Sequence, residues 1–125
     1  MVKIFIVDDD QSLQRLYTLI LKEAGFEIID TAFNGKVAVE KYNKLKEKPD
    51  IVLMDHRMPI KNGLDAMTEI LKVNNHTKII FASADISIKQ KAIELGACAF
   101  LDKPFNIHKL LTIIEKICEE LVLSN

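Results

Sequence analysis

The stretch IVLMD, residues 51–55, sets the pattern of the chain, because an apolar run of four residues ends on a carboxylate. A short run that is apolar at every position is typical of a strand covered on both faces of a sheet. Similar runs recur along the chain, and five strands are predicted at Lys3–Val7, Glu27–Ala32, Ile51–Met54, Lys78–Ala82 and Cys98–Leu101. The second run is the most mixed in polarity, which favours a place at the edge of the sheet.

Each predicted strand is followed by turn residues and then by apolar residues at helical spacing. The helices are predicted near residues 13–24, 36–46, 64–73, 87–95 and from Asn106 onward. The first has its apolar stripe at Leu13, Leu16, Tyr17, Ile20, Leu21 and Ala24, and the last at Ile107, Leu110, Leu111, Ile114, Cys118 and Leu121. Five strand–helix units in one chain predict an α/β fold, a doubly wound parallel sheet with helices on both faces.

Size and composition fit one globular domain that covers residues 1–125. The chain is 49% hydrophobic and 28% charged, and its net charge of -1 gives no reason to expect nucleic acid or an anionic membrane as a direct partner. No apolar run approaches about 20 residues, so no membrane span is predicted. We therefore expect a cytoplasmic protein, in which Cys98 and Cys118 are buried, reduced thiols.

Acidic residues follow two of the predicted strands, Asp8 and Asp9 after the first and Asp55 after the third. In open parallel sheets, sites form beyond the carboxyl ends of the strands, where the strand order reverses. Two carboxylates about 4 Å apart repel by roughly 4 kcal/mol at an effective dielectric constant near 20. Such a cluster needs a cation, and ligands that are all oxygen favour Mg²⁺ or Mn²⁺.

A hydroxyl and an ammonium complete this set, since Ser83 follows the fourth predicted strand and Lys103 the fifth. An aspartate can act as a nucleophile toward phosphorus and form an acyl phosphate. A metal ion and an ammonium would neutralise charge on the transferring oxygens, which is where most catalysis of phosphoryl transfer arises. The strand ends therefore predict phosphate chemistry.

Four segments resemble the signature segments of response-regulator receiver domains. They are IFIVDDD at residues 4–10, VLMDHRMPIKNG at 52–63, FASA at 81–84 and FLDKPF at 100–105, and they occur in the family's order and spacing. The resemblance covers essentially the whole chain. It implies a flavodoxin-like (βα)5 fold with strand order 2-1-3-4-5.

The resemblance also implies a role for each matching residue. Asp55 would be the phosphoacceptor, and Asp8, Asp9, Asp55 and the backbone carbonyl of Arg57 would bind Mg²⁺. Lys103, with a cis bond to Pro104, would bind the phosphoryl oxygens. Ser83 would be the switch hydroxyl, and Phe100 would be the aromatic switch residue.

Several residues keep a simpler interpretation beside the functional one. Asp10 is assigned to a helix N-cap rather than to the site, and Phe100 could be a fixed core aromatic. Arg57 and Asp85 are expected to form an ion pair at the pocket mouth that shields the phosphoryl group from water. Apolar residues beyond the core stripes, Ile86, Ile93, Ile113 and Ile117, indicate either a generous core or a partner surface on the fourth helix, fifth strand and fifth helix.

The expected function is a phosphorylation-operated binding switch rather than an enzyme acting on other substrates. Its partners would be a histidine kinase or histidine phosphotransfer protein upstream and an unidentified protein target downstream. The chain would be a monomer or weak homodimer, and its initial Met and lack of a linker favour a stand-alone protein. Two alternatives stay open: a haloacid-dehalogenase-type phosphatase with Asp8 as nucleophile, and a receiver that only mediates contacts.

Overall fold

Five parallel strands form one sheet in the order β2-β1-β3-β4-β5 in the computed structural model, which describes residues 1–123. The strands are β1 (Lys3–Val7), β2 (Glu27–Ala32), β3 (Ile51–Asp55), β4 (Lys78–Ser83) and β5 (Ala99–Asp102). The helices are α1 (Gln11–Glu23), α2 (Gly35–Lys44), α3 (Gly63–Val73), α4 (Lys89–Leu95) and α5 (Ile107–Leu123), with a 3-10 turn at Ile86–Ile88 before α4. The predicted fold class, strand order and edge position of β2 are confirmed.

Alternate residues of each central strand face opposite layers of helices. Phe5 and Val7 of β1 pack on the side of α2, α3 and α4, whereas Ile4 and Ile6 pack on the side of α1 and α5. All four side chains are fully buried. Because both faces of the sheet are covered, its inner strands have to be apolar at every position.

Three strands extend one residue further than predicted. β3 ends at Asp55, β4 at Ser83 and β5 at Asp102, because Asp55 pairs with Ala82 and Ser83 pairs with Asp102 in the parallel ladder. The polar residues therefore continue the strands instead of starting the loops. The sheet itself fixes the backbone positions of Asp55 and Ser83.

Two predictions about burial are wrong, and one open alternative is decided. Cys98 is exposed and Cys118 is only half-buried, although both thiols are free as expected. On α1 the core positions are Gln14, Tyr17 and Leu21, so the predicted stripe residue Leu16 stays 49% exposed. On α5 the alternative of a generous core is confirmed for Ile117, because α5 turns Leu110, Ile114 and Ile117 toward the sheet.

The helices of residues 1–123 are too short or too polar for any of them to cross a membrane.

Candidate functional site

Three carboxylates meet where β1 and β3 end side by side. Asp8, Asp9 and Asp55 each offer one oxygen, and these oxygens all lie within 4.8 Å of one another. Asp8 and Asp55 are buried, with exposures of 3% and 8%, whereas Asp9 is open to solvent. The cluster therefore has a buried floor and one accessible side from which a ligand can enter.

Lys103 lies between the two buried carboxylates. Its Nζ donates to Asp8 Oδ2 at 2.9 Å and to Asp55 Oδ1 at 3.1 Å. The backbone before Pro104 is cis, as the resemblance implies, and the amide of Lys103 donates to the carbonyl of Ser83 at 2.9 Å. Three ionised carboxylates and one ammonium leave two negative charges, which one divalent cation would neutralise. The donor set, oxygen atoms only, fits Mg²⁺.

Burial is the largest single influence on the pKa values of both Asp55 and Lys103. It raises the pKa of Asp55 to about 6, although the charge of Lys103 acts in the opposite direction, and the nearby charge of Asp8 raises the pKa further. Burial also tends to lower the pKa of Lys103, but its hydrogen bond to Asp8 and the charge of Asp55 outweigh this and raise that pKa. The ammonium therefore stays charged, and without a cation the ionisation of Asp55 costs free energy because of its burial.

The loop after Asp55 requires a glycine where α3 begins. Gly63 donates its amide to the carbonyl of His56 at 2.9 Å, and an added Cβ would lie 2.1 Å from the carbonyl oxygen of Asp55. The side chain of Asn62 caps α3 by accepting from the amide of Asp65. Together these contacts fold the loop back onto the end of β3, so the backbone of Asp55 is fixed on both sides.

The turn after β1 is fixed in a similar way. Asp10 caps α1, since its Oδ1 accepts from the amides of Ser12 and Leu13. Its own amide donates to Asp8 Oδ1 at 2.9 Å, which leaves the other oxygen of Asp8 to Lys103. The assignment of Asp10 to a cap rather than to the site is confirmed.

The family model of the response regulator receiver domain matches residues 4–115. The chain belongs to this family. Receiver domains bind Mg²⁺ at an acidic cluster of the kind formed by Asp8, Asp9 and Asp55.

Individual relatives agree with this assignment. Chemotaxis protein CheY of Thermotoga maritima is 40% identical over 117 residues, which are 92% of this chain and 96% of the relative. The solved structure of the response regulator protein TrrA from Thermotoga maritima, in complex with Mg²⁺ and BeF, matches with a TM-score of 0.84 and 32% identity. It covers 94% of this chain and 99% of that one.

Receiver domains also occur as parts of enzymes. A protein-glutamate methylesterase/protein-glutamine glutaminase of Methanococcoides burtonii is 40% identical over 126 residues, which are 98% of this chain but only 34% of that protein. The matched part is the receiver and not the whole enzyme. The likeness therefore supports a signalling role and assigns no esterase activity to this chain.

The two residues predicted to act as switches, Ser83 and Phe100, are both packed against neighbouring groups. The hydroxyl oxygen of Ser83 accepts from the amide of Asp85 at 3.0 Å, and Ser83 is buried. Phe100 is half-buried and stacks on Phe81, with ring centroids 6.1 Å apart and an interplanar angle of 16°. Both interpretations of Phe100, fixed core aromatic and switch, are compatible with this packing.

Arg57 and Asp85 form the expected ion pair at the edge of the site, with Arg57 Nη2 3.3 Å from Asp85 Oδ2. Asp85 also accepts from the amide and hydroxyl of Ser87, and these bonds, followed by Arg57, hold its pKa below the usual value. Asp85 is thus a fixed partner for a mostly exposed arginine. The predicted contact exists, while its effect on the phosphoryl group stays a prediction.

Three residues around the site depart from the sequence-based expectations. The sequence assigns no role to Gly63 or Gln14, and the interpretation of His56 as a solvated surface residue is wrong, because its side chain is half-buried. The Nδ1 atom of His56 is buried without a hydrogen-bond partner among the described residues, and burial lowers the pKa of this imidazole. The signal for Gln14 was its spacing of three and seven residues from Tyr17 and Leu21, which places an amide on the core face of α1.

Proposed function

We propose that this receiver accepts a phosphoryl group on Asp55 and that Mg²⁺ is held by Asp8, Asp9, Asp55 and the backbone carbonyl of Arg57. The observation that carries the proposal is the bridge of Lys103 between Asp8 and Asp55. The cluster keeps two uncompensated negative charges, and a bound divalent cation would neutralise them. Mn²⁺ offers the same charge and accepts the same oxygen ligands, so it is the alternative cofactor.

In the proposed reaction a carboxylate oxygen of Asp55 attacks the phosphorus atom of a phosphohistidine. A P–O bond forms, the P–N bond breaks, and the imidazole of the donor leaves with the electron pair. Lys103 binds the oxygens of the transferred group with the ammonium that now bridges Asp8 and Asp55. When bound, Mg²⁺ supplies further positive charge at the same oxygens. The chain thereby catalyses only its own phosphorylation and dephosphorylation.

The proposed switch begins at Ser83. Its hydroxyl turns from the amide of Asp85 toward the phosphoryl group, and Phe100 changes its rotamer on the same side of the sheet. Phosphorylation thus biases a two-state surface formed by α4, β5 and α5. Ile86, in the 3-10 turn before α4, and Ile93, in α4, are 62% and 45% exposed and are available to contact a downstream protein. The oligomeric state consistent with this surface is a monomer or a weak homodimer.

The upstream partner in this proposal is a histidine kinase or a histidine phosphotransfer protein, and both proteins would meet in the cytoplasm. An open groove beside Lys103 suits an apolar helix of such a donor. It is lined by Leu13, Leu16, Tyr17, Ala84, Lys103, Pro104, Phe105 and Ile107. The groove lies next to the site, so a donor seated in it brings its phosphohistidine within reach of Asp55.

Labelled acetyl phosphate tests this function. We expect labelling of the wild type that depends on Mg²⁺ and is lost in Asp55→Asn. Labelling should be retained in Asp8→Asn, but at a higher Mg²⁺ concentration. Labelling lost in Asp8→Asn but retained in Asp55→Asn would instead support a phosphatase-type nucleophile at Asp8. No labelling of the wild type under any Mg²⁺ concentration would leave a receiver that only mediates contacts. Capture of partners with and without beryllofluoride then identifies the downstream target.

A further inference from the structure

Gln14 is a buried polar residue that the proposed phosphotransfer does not use. Its side chain is on the core face of α1, and the residue is only 4% exposed. The other buried residues of this helix are Tyr17 and Leu21. A buried amide is unfavourable unless its donors and acceptor are hydrogen-bonded, so a glutamine at this position needs a reason.

Both protons of the Gln14 amide go to backbone carbonyls at the end of the sheet. Nε2 donates to the carbonyl of Asp8 at 3.0 Å and to the carbonyl of Ala32 at 2.6 Å. Only the NH₂ group can face two carbonyl oxygens, so the chemistry of the contacts determines which way the amide points. Gln14 therefore joins the residue after β1 to the last residue of β2.

These contacts fix Asp8 from both sides of its main chain. Its amide donates to the carbonyl of Ala32 at 3.1 Å, and its carbonyl accepts from Gln14. Its carboxylate accepts from the amide of Asp10 and from Lys103. The turn that carries Asp8 and Asp9 is thus held in one conformation, in part by the hydrogen bond from Gln14 of α1.

We propose that Gln14 is a positioning residue for cation binding, an inference that rests on the proposed Mg²⁺ site. By holding the carbonyl of Asp8, it sets the direction in which the chain continues to Asp9 and so the spacing of the two carboxylates. Without this contact the turn samples other conformations, and the cation has to select the competent one. Outer contacts of this kind typically change metal affinity by about 10–100-fold.

Gln14→Met tests the inference, because methionine has nearly the same length and no donor. Isothermal titration with MgCl₂ should give a dissociation constant about tenfold weaker than that of the wild type. In acetyl phosphate labelling, the Mg²⁺ concentration for half-maximal rate should rise by a similar factor, while the rate at saturating Mg²⁺ stays close to that of the wild type. Gln14→His keeps one hydrogen-bond donor. Its Mg²⁺ dissociation constant should therefore lie between those of the wild type and Gln14→Met.

Leu21→Ala is the matched control, since Leu21 is buried on the same face of α1, seven residues further along the helix than Gln14. It should lower the unfolding temperature and leave the Mg²⁺ dissociation constant unchanged. If Gln14→Met and Gln14→His bind Mg²⁺ as tightly as the wild type while their unfolding temperatures fall, Gln14 is structural only and the inference is wrong. If the wild type itself does not bind Mg²⁺, the proposed metal site fails and the inference fails with it.

Discussion

Replacing Asp55 with asparagine should stabilise the metal-free protein at neutral pH. Burial raises the pKa of this carboxyl from 3.8, its ordinary value, to about 6, so its ionisation opposes folding. Each unit of pKa difference between the folded and unfolded states corresponds to 1.36 kcal/mol, and a difference of about 2 units therefore amounts to about 3 kcal/mol. For a domain of this size that is an increase in unfolding temperature of roughly 10 °C.

The pH dependence of this effect has a definite sign. Between pH 4 and pH 6 the folded wild type binds more protons at Asp55 than the unfolded chain does, so its stability falls as the pH rises. The asparagine variant lacks this term. The difference in unfolding free energy between the two proteins should be near zero at pH 4, grow through pH 6 and level off above pH 7.

Urea unfolding in the presence of EDTA, followed by circular dichroism at several pH values, measures this difference. Asp102→Asn is the control, because Asp102 is exposed at the end of β5, two strands away in the sheet, and its replacement should leave stability unchanged. Added Mg²⁺ should stabilise the wild type more than Asp55→Asn. A variant that is less stable than the wild type at pH 7, or a difference that does not change with pH, would refute the reasoning.

Three further predictions concern neighbours of Asp55. Gly63→Ala should lower the free energy of unfolding in urea by about 3 kcal/mol or more, since the new Cβ would lie 2.1 Å from the carbonyl oxygen of Asp55. Gly25→Ala has open space around it and should cost about 1–2 kcal/mol from its positive φ alone. Equal losses of unfolding free energy in the two variants would contradict the steric account. Lys103→Met should raise the pKa of Asp55 above 6 in a carboxyl NMR titration, while Lys103→Arg keeps the charge and should change it less; an unchanged pKa in both would contradict the bridge. Arg57→Ala should shorten the lifetime of the acyl phosphate and change stability by less than about 1 kcal/mol, and an unchanged rate of dephosphorylation would remove Arg57 and Asp85 from the proposed shield.

The strands were predictable because the sheet is covered on both faces. A run such as Ile51–Met54 has no alternative explanation as an amphipathic helix, and the acidic or polar residue that follows it marks the strand end. In the structure, strand pairing extends β3, β4 and β5 by one residue beyond the end of each apolar run. Strand pairing, which depends on neighbours distant in sequence, decides that last residue.

The helix faces were less predictable, because periodicity alone does not say which side contacts the sheet. On α1 a glutamine occupies a core position, since two strand-end carbonyls need donors there, and Leu16 is left outside. On α5 the face that includes Ile117 turns inward. The hydrogen bonds that strand-end carbonyls accept and the orientation of a helix against the sheet depend on tertiary structure. Helical periodicity alone does not determine them.

The position of the phosphoryl group tests the central claim most directly. After labelling with acetyl phosphate and Mg²⁺, borohydride reduces an aspartyl phosphate to homoserine, and trypsin separates residues 47–57, EKPDIVLMDHR, from residues 4–15, IFIVDDDQSLQR. Homoserine at position 55 in the first peptide, with residues 4–15 unchanged, is the result that the account predicts. Homoserine at position 8, or in neither peptide of a labelled protein, would contradict it.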